Sequence, residues 1–418
     1  DLAGGVLPRR GQGPSALLAL ARRYAEGTVD LADPAAAAHL QPPALTVAVA
    51  ADVLANVFNA SVDTWDSGPY AVELERRVVR ALADLAELGP AAGGVLTSGG
   101  TASNLQALLI ARDAARAVRP VVLCSELAHF SIARACGVLG LGEDAVRTVP
   151  VDAWWRMTGD AVAATLSGLA DGETPIAIVA TAGTTDFGSI DPLTEVAEVA
   201  RKAGARLHVD AAYGGGALFS ERLRPVLTGI ERADSVTIDL HKTAWQPAAA
   251  SALLVRDAAD FAATDRRVAY LNPDDDGDAG YDGLLGCSLA TTRRADAIKI
   301  AASFQTLGVD GIGRLFETCC DLASYAAAAI AAHPALELTA DPVLSTVVFR
   351  YRAPDAVNGG LRRRLMREGT ALIGRTTVPG QGVRLKFTLL NPQARPTDID
   401  ALLDAVVRAG EQEEATDE

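Results

Sequence analysis

The sequence is short of aromatic residues (5%), methionine (two), histidine (five) and cysteine (five), and it carries 14 more negative than positive charges. Lysine is also scarce, so arginine supplies most of the positive charge. A net charge of −14 gives no electrostatic support for a nucleic-acid partner, which needs an excess of Lys and Arg on one face. The cysteines (Cys124, Cys136, Cys287, Cys319 and Cys320) are odd in number and lack metal-ligand spacing. Neither a disulfide framework nor a bound metal is expected; reduced thiols in a cytoplasmic protein are. Cys319-Cys320 falls in an apolar helical pattern and reads as a pair of small core residues. No run of eighteen apolar residues occurs, so no membrane-spanning helix is expected. The opening stretch DLAGGVLPRRGQGP lacks the apolar centre of a secretory signal, and with no initial Met a trimmed N-terminal end is expected.

The chain does have enough apolar material for a large core and more than one domain, at 418 residues and 49% hydrophobic. Residues 15–58 read as helices broken at Asp33-Pro34 and Pro42-Pro43. ALTVAVAADVLANVF within them is apolar almost all round, which suits burial against another subunit as well as against the chain's own core. Ser67-Gly68-Pro69 opens a helix with apolar spacing at Val72, Leu74, Val78, Val79, Leu82 and Leu85. Strand and helix patterns then alternate through 93–254, which predicts a mostly parallel sheet wrapped by helices. Residues 271–286, LNPDDDGDAGYDGLLG, are acidic, Gly-rich and without period, and read as a long mobile loop. Two helical patterns follow, the first just after Thr291-Thr292 with Arg293 and Arg294 near its start. From about 333 the pattern changes to short strands, a helix at 359–368, a final helix at 397–409 and a solvated acidic tail, EQEEATDE. The expected division is an N-terminal helical segment (1–65), a large α/β domain (66–332) and a small α+β domain (333–418).

The strongest chemical signal lies in 207–247. Two short apolar runs end on Asp210 and on Asp239-Leu240-His241-Lys242, and each reads as a buried strand that spills into a loop. Ligands of open α/β sheets sit outside the carboxyl ends of the strands, so Asp210 and Lys242 are expected to face one crevice. A lysine in such a place can form a Schiff base with an aldehyde, and an acid can hold a ring nitrogen protonated. Taken singly, each is equally a surface residue at a strand end. GGVLTSGGTASNLQALLIAR (93–112) reads as a strand, a Gly-rich turn and a helix whose N-terminus offers a phosphate site. The turn is not a P-loop, because no Gly-Lys-Ser/Thr follows, and ordinary strand–helix turns look similar. His129 opens a helix, where a capping core residue is the plain reading. TPIAIVATAGTTDFGSIDPL (174–193) is a strand ending on Ala-Gly-Thr-Thr.

These blocks, in this order, resemble the group II pyridoxal-phosphate decarboxylases of fold type I, which include the aromatic-amino-acid, glutamate, histidine and diaminobutyrate decarboxylases. HVDAAYGGG with ADSVTIDLHKTAWQP is similar to the family signature, and SVDTWDSGP and LKFTLLNP resemble the diaminobutyrate branch. The resemblance implies a mostly parallel seven-stranded sheet in the large domain and pyridoxal 5'-phosphate as cofactor, carried by Lys242. Asp210 would face the ring nitrogen, with Ala212 and His241 in the same signature. Phosphate contacts would map to Thr101, Ala102 and Ser103. His129 would stack on the ring and steer the substrate carboxylate, and Thr184, with Thr185 beside it, would lie near the ring hydroxyl and phosphate. The 271–286 loop would be a catalytic lid, often over the neighbouring subunit's site, and Tyr281 its proton donor, with His241 the other candidate. Trp65 would line the site. Arg384 and Lys386 alternate onto one strand face, and many relatives carry a carboxylate-clamping arginine where Lys386 stands. Trp245 and Gln246 could shape the pocket and His39 is a further candidate, whereas His208 and His333 read as structural. The implied activity is that of a carboxy-lyase which decarboxylates an L-amino acid, with 2,4-diaminobutyrate first, lysine or ornithine next and aromatic amino acids open. The implied assembly is a homodimer with the site at the subunit interface. An aminotransferase, a decarboxylating oxidase or an inactive ligand-binding relative would share the scaffold.

Overall fold

The structure, a computed structural model, describes residues 6–266 and 268–417. The chain opens with α1 (Ser15–Glu26), β1 (Ala36–Ala37), α2 (Thr46–Phe58) and α3 (Pro69–Leu85). The large domain continues through β2 (Gly93–Thr97), α4 (Gly100–Ala115), β3 (Pro120–Ser125), α5 (Ser131–Val138), β4 (Val146–Val149) and α6 (Gly159–Ser167). Next come β5 (Thr174–Thr181), α7 (Leu193–Ala203), β6 (Arg206–Asp210), β7 (Ser235–Asp239), α8 (Leu240–Thr243) and β8 (Ser251–Val255). α9 (Asp274–Asp278) and α10 (Ala297–Ala332) lead to β9 (Leu336–Leu338), β10 (Thr346–Tyr351), α11 (Asp355–Arg367), β11 (Leu372–Val378), β12 (Gly382–Thr388) and α12 (Pro396–Asp417).

Seven strands form the large sheet in the order β2-β8-β7-β6-β5-β3-β4. Only β8 runs against its neighbours, so β2 is again parallel to β7. Helices cover both faces, which is why β5 and β8 read as nearly unbroken apolar runs and β5 to β8 are buried almost throughout, the polar residues of β6 and β7 included. This is the mostly parallel α/β sheet the alternation implied. A second sheet, β1-β11-β12-β10-β9, makes the small domain with α11 and α12.

Several expectations are corrected. The N-terminal segment is not helical alone: Ala36 and Ala37 pair in parallel with Leu372 and Ile373, so β1 is an edge strand of the small domain's sheet. Two residues of alanine carry no strand signal, and only the partner edge reveals them. The helix after Thr291-Thr292 starts later, at Ala297, and runs with the next as one 36-residue element broken at Gly308, whose φ of 66° no helix accommodates. By length and mean hydropathy alone α10 could cross a bilayer, but Ile312, Phe316, Cys319, Ala323 and Ile330 lie fully buried in the protein's own cores. The acidic run of the 271–286 loop forms α9, with Asp274, Asp275 and Asp276 in a first turn whose dipole favours them. The helix expected at 359–368 starts earlier, at Asp355, and the acidic tail continues α12, where Glu413 pairs with Arg364 and Glu414 accepts from Tyr351.

α3 buries Val72, Leu74, Val78, Val79 and Leu82 on one face, and Glu75 with them. Glu75 Oε1 accepts from Leu96 N at 3.0 Å and pairs with Arg293 at 2.8 Å, and Arg293 also donates to Leu96 O. The pair pins the segment before α10 to the start of the large sheet. Burial pushes the Glu75 carboxyl above its ordinary range in spite of Arg293. Removing one member of such a pair leaves its partner charged in the interior. Glu75→Ala is therefore expected to lower unfolding free energy by about 3–5 kcal/mol in urea. Glu73→Ala, which breaks the exposed pair with Arg76, is expected to cost no more than about 1 kcal/mol.

Candidate active site

The cleft is built from backbone outward, at the edge where β2, β3, β5, β6 and β7 all end. After Thr97 the chain turns through Ser98 and Gly99, with φ at 151°, and enters α4 at Gly100. A Cβ on Gly100 would lie 3.1 and 3.2 Å from the two carboxylate oxygens of Asp239 and 3.2 Å from Ala212 Cβ, so a side chain here would push these neighbours back by a few tenths of an ångström. The first turn of α4 presents its free N–H groups and positive dipole end to the cavity. Thr101 and Ala102 line that cavity. Ser103, expected beside them, does not. Its side chain lies about 100° further round the helix, and its buried hydroxyl shares hydrogen bonds with Thr97 Oγ1 (2.7 Å) and Ser251 Oγ (3.1 Å).

Asp210, at the end of β6, faces the same cavity. Its Oδ1 accepts from Ala212 N (3.1 Å) and its Oδ2 from Asn104 Nδ2 (2.8 Å). Asn104 is the residue that sequence reasoning missed. It donates also to Ser131 Oγ (3.0 Å), and its Oδ1 accepts from Thr237 Oγ1 (2.8 Å) and bonds His208 Nε2 (3.0 Å). Since Asn104 Oδ1 can only accept, the His208 proton sits on Nε2 and Nδ1 accepts from Ser235 Oγ (2.8 Å). His208 is fully buried, and burial pushes it down to about 4, so it is neutral. The signal for Asn104 was its place one helical turn after Gly100, hence on the same face of α4.

At the end of β7, Lys242 Nζ lies 2.8 Å from Asp239 Oδ2, and His241 Nε2 lies 3.7 Å from the same oxygen. His241 Nδ1 bonds the Ala250 carbonyl (2.7 Å) and so carries the proton. Asp239 is buried, and among the described residues its Oδ1 has no hydrogen-bond partner. His129 closes the cavity from the β3 side, its Nδ1 bonded to Ser131 Oγ (2.8 Å); burial holds it below its ordinary value.

Other expected residues are placed as follows. Thr184 is buried and shares its hydroxyl with Ser189 Oγ (2.7 Å), whereas Thr185 lines the cleft; after the tight Gly183 turn neighbouring side chains point to opposite sides. Lys386 reaches the cleft from β12 and donates to Asp186 Oδ1 (2.8 Å) and Thr185 O (3.1 Å). Arg384 does not reach it, because its guanidinium folds back onto the Gln381 and Val383 carbonyls. His39 and Gln246 line the outer cavity, and Trp245 is a core residue donating to Leu390 O. Trp65 and Tyr281 pack on each other, ring centroids 4.8 Å apart, and neither lines the cleft that holds Lys242; Tyr281 stays half exposed.

Known proteins resemble this chain over almost its whole length. Residues 20–352 match the model of the pyridoxal-dependent decarboxylase conserved domain. The chain is 44% identical to L-2,4-diaminobutyrate decarboxylase of Rhizobium meliloti (strain 1021) over 413 residues, 96% of this chain and 83% of that one. It is 35% identical to the Acinetobacter baumannii enzyme of the same name over 410 residues, 91% and 80% of the two chains. Among solved structures, the glutamate decarboxylase domain of diaminobutyrate-pyruvate transaminase and L-2,4-diaminobutyrate decarboxylase from Vibrio parahaemolyticus superposes with a TM-score of 0.86 at 31% identity, covering 97% of this chain and 88% of that one. The chain belongs to the pyridoxal-dependent decarboxylase family. It is a pyridoxal-phosphate-dependent amino acid decarboxylase of fold type I.

The decarboxylase's own residues fit that cofactor. An amine and a carboxylate, Lys242 and Asp210, face one cavity, and the Gly99-Gly100 turn leaves a helix N-terminus open where a phosphate would be held. The amide network behind Asp210 gives a pH prediction. Above about pH 6.5 His208 is neutral in the folded and unfolded chain alike, and its contribution is fully present. As pH falls towards 4 the unfolded chain takes up a proton that the folded one refuses, so the contribution is lost. The unfolding free energy of the wild type relative to His208→Gln should shrink between pH 6.5 and 4, by on the order of 1–3 kcal/mol, in urea titrations.

Proposed function

We propose that the decarboxylase acts on a short diamino acid, 2,4-diaminobutyrate first and lysine or ornithine next, and releases the corresponding diamine. The supporting observation is the cleft shared by Lys242, Asp210 and the Gly99-Gly100 turn, in a chain 44% identical to a diaminobutyrate decarboxylase over almost its whole length. When bound, pyridoxal phosphate supplies an electron sink for the pair left behind as carbon dioxide departs. The protein's part is orientation and proton handling. Lys242 is the amine that would carry the cofactor, and Asp210, its oxygens fixed by Asn104 and the Ala212 amide, would as a carboxylate keep the cofactor's ring nitrogen protonated. Thr101, Ala102 and the first N–H groups of α4 hold the phosphate, with Thr185 and Ala212 on the cavity wall. His129, held by Ser131, steers the substrate carboxylate, and Lys386 receives it as a point charge. His241 would serve as the candidate proton donor within this chain's own cleft only with both ring nitrogens protonated, since its Nδ1 proton is held by the Ala250 carbonyl and Nε2 faces Asp239.

The reading continues to the assembly. α1 exposes Leu17, Leu18, Leu20 and Tyr24, and α2 exposes Val53, Leu54, Val57 and Phe58, an apolar surface that a second copy of the chain would cover in a homodimer. Trp65 and Tyr281, which lie off the cleft of their own chain, then belong to the partner's site, with Tyr281 on the lid as the second candidate donor. The five free thiols favour a reducing, cytoplasmic setting.

The test is a mass-spectrometric screen of the protein with pyridoxal phosphate and pooled L-amino acids, with and without oxygen. The expected result is loss of a diamino acid and appearance of the amine lacking its α-carboxylate, unchanged without oxygen and absent in Lys242→Ala. A keto acid would point to transamination, and an aldehyde with peroxide to oxidation; an aromatic amine would overturn the diamino substrate.

A further inference from the structure

The phosphate end of the cleft holds a negative charge of its own. Asp239 ends β7 and is 2% exposed, and its carboxylate packs against the first residue of α4, where both oxygens would lie within 3.2 Å of a Cβ on Gly100. It lines the same cavity as Gly99, Gly100 and Thr101. Oδ2 is taken by Lys242 Nζ at 2.8 Å, while Oδ1 is buried and has no partner among the described residues. A buried carboxylate oxygen left unbonded carries a desolvation cost, so its position at a helix N-terminus asks for a physical reason.

We propose that Asp239 is a resident anion of the phosphate cradle, which holds the Lys242 ammonium in the cofactor-free chain and opposes the entry of a phosphate dianion. The proposal rests on the assignment of Lys242 and the Gly99-Gly100 turn to the cofactor. The charges facing the carboxylate are few. Lys242 and His241 follow it on α8, Asp210 lies at the end of the neighbouring β6, and His129 approaches from the β3 side. In the free chain the ammonium and the carboxylate neutralise each other. A dianion placed at the start of α4 is attracted by the helix dipole and by Lys242 but meets the buried Asp239 carboxylate in the same cavity, where protein walls on several sides make like charges repel more strongly than in bulk water. Once Lys242 is engaged elsewhere, the carboxylate loses its counter-ion and the opposition grows. Asp239 is thus a positioning residue for Lys242 whose cost falls on the phosphate.

The experiment uses the full cofactor-free chain and compares two probes, pyridoxal phosphate and pyridoxal, so that the ratio of their Kd values isolates the phosphate group. In Asp239→Asn, which keeps the shape and removes the charge, the preference for the phosphorylated probe should rise about tenfold or more. Asp239→Ser, smaller but also neutral, should move the ratio in the same direction. In a Lys242→Ala background, where the ammonium no longer offsets the carboxylate, the rise caused by Asp239→Asn should be larger still. An unchanged ratio in both variants would overturn the proposal, and a lowered one would make Asp239 part of the phosphate's binding set. Failure of the unaltered chain to bind pyridoxal phosphate would instead remove the cofactor assignment, and the proposal with it.

Discussion

The cleft depends on one buried amide. Asn104 satisfies all its hydrogen-bonding capacity at once, two donors to Asp210 and Ser131 and one oxygen shared by Thr237 and His208. Through it α4 is tied to β6, β7 and the start of α5, so the helix that opens the phosphate end and the carboxylate at the other end share one support. A carboxyl group in an apolar interior wanders or titrates unless its lone pairs are met. Here Asp210 is fixed from both sides, by Asn104 and by the Ala212 amide. His129 is brought into the same frame because its Nδ1 and Asn104 bond the same Ser131 hydroxyl.

That frame explains what could be read from the sequence and what could not. Residues whose place follows from being at a strand end were legible, because apolar runs mark strands and the next polar residue marks the rim: Asp210, Lys242 and the Gly99-Gly100 turn came from that logic, whereas His129 came only from the family resemblance. Residues whose placement depends on side-chain direction within a turn were not. Ser103 and Thr184 look equivalent to their neighbours in sequence, yet each points into the protein and bonds another hydroxyl. Arg384 fails for a related reason: period two puts it on the face of Lys386, but it lies a full repeat further from the cleft, beside the β11–β12 turn that captures its guanidinium. Asn104 and Asp239 sat in plain view, and only the distances across strands show what they hold.

The fold was legible to the same degree. Alternating strand and helix patterns set the parallel sheet, since each crossover must bury an apolar helix face on it. The β1 strand was invisible, because two alanines have no period. Its pairing with β11 nevertheless draws His39, two residues on, towards the outer cavity, so the N-terminal segment and the small domain build one wall together.

The contact between the domains bears directly on selectivity. Asp186, on the loop after β5, accepts from Lys386 of β12 and from Thr376 of β11, so one carboxylate latches the small domain to the rim of the cleft. The lysine that faces the cavity is therefore already matched in charge, and a carboxylate arriving there meets a closed pair and not a bare cation. An ammonium with two acceptors can give up one and keep the other, here the Thr185 carbonyl, whereas an arginine fork would bind the carboxylate in two fixed directions. The groups that would hold the cofactor come from strand ends of one sheet and are set by its register. Groups that face the substrate come from two domains and an N-terminal segment, and their positions are set by packing between them, which is why the cofactor is so much easier to read from this chain than the amino acid it acts on.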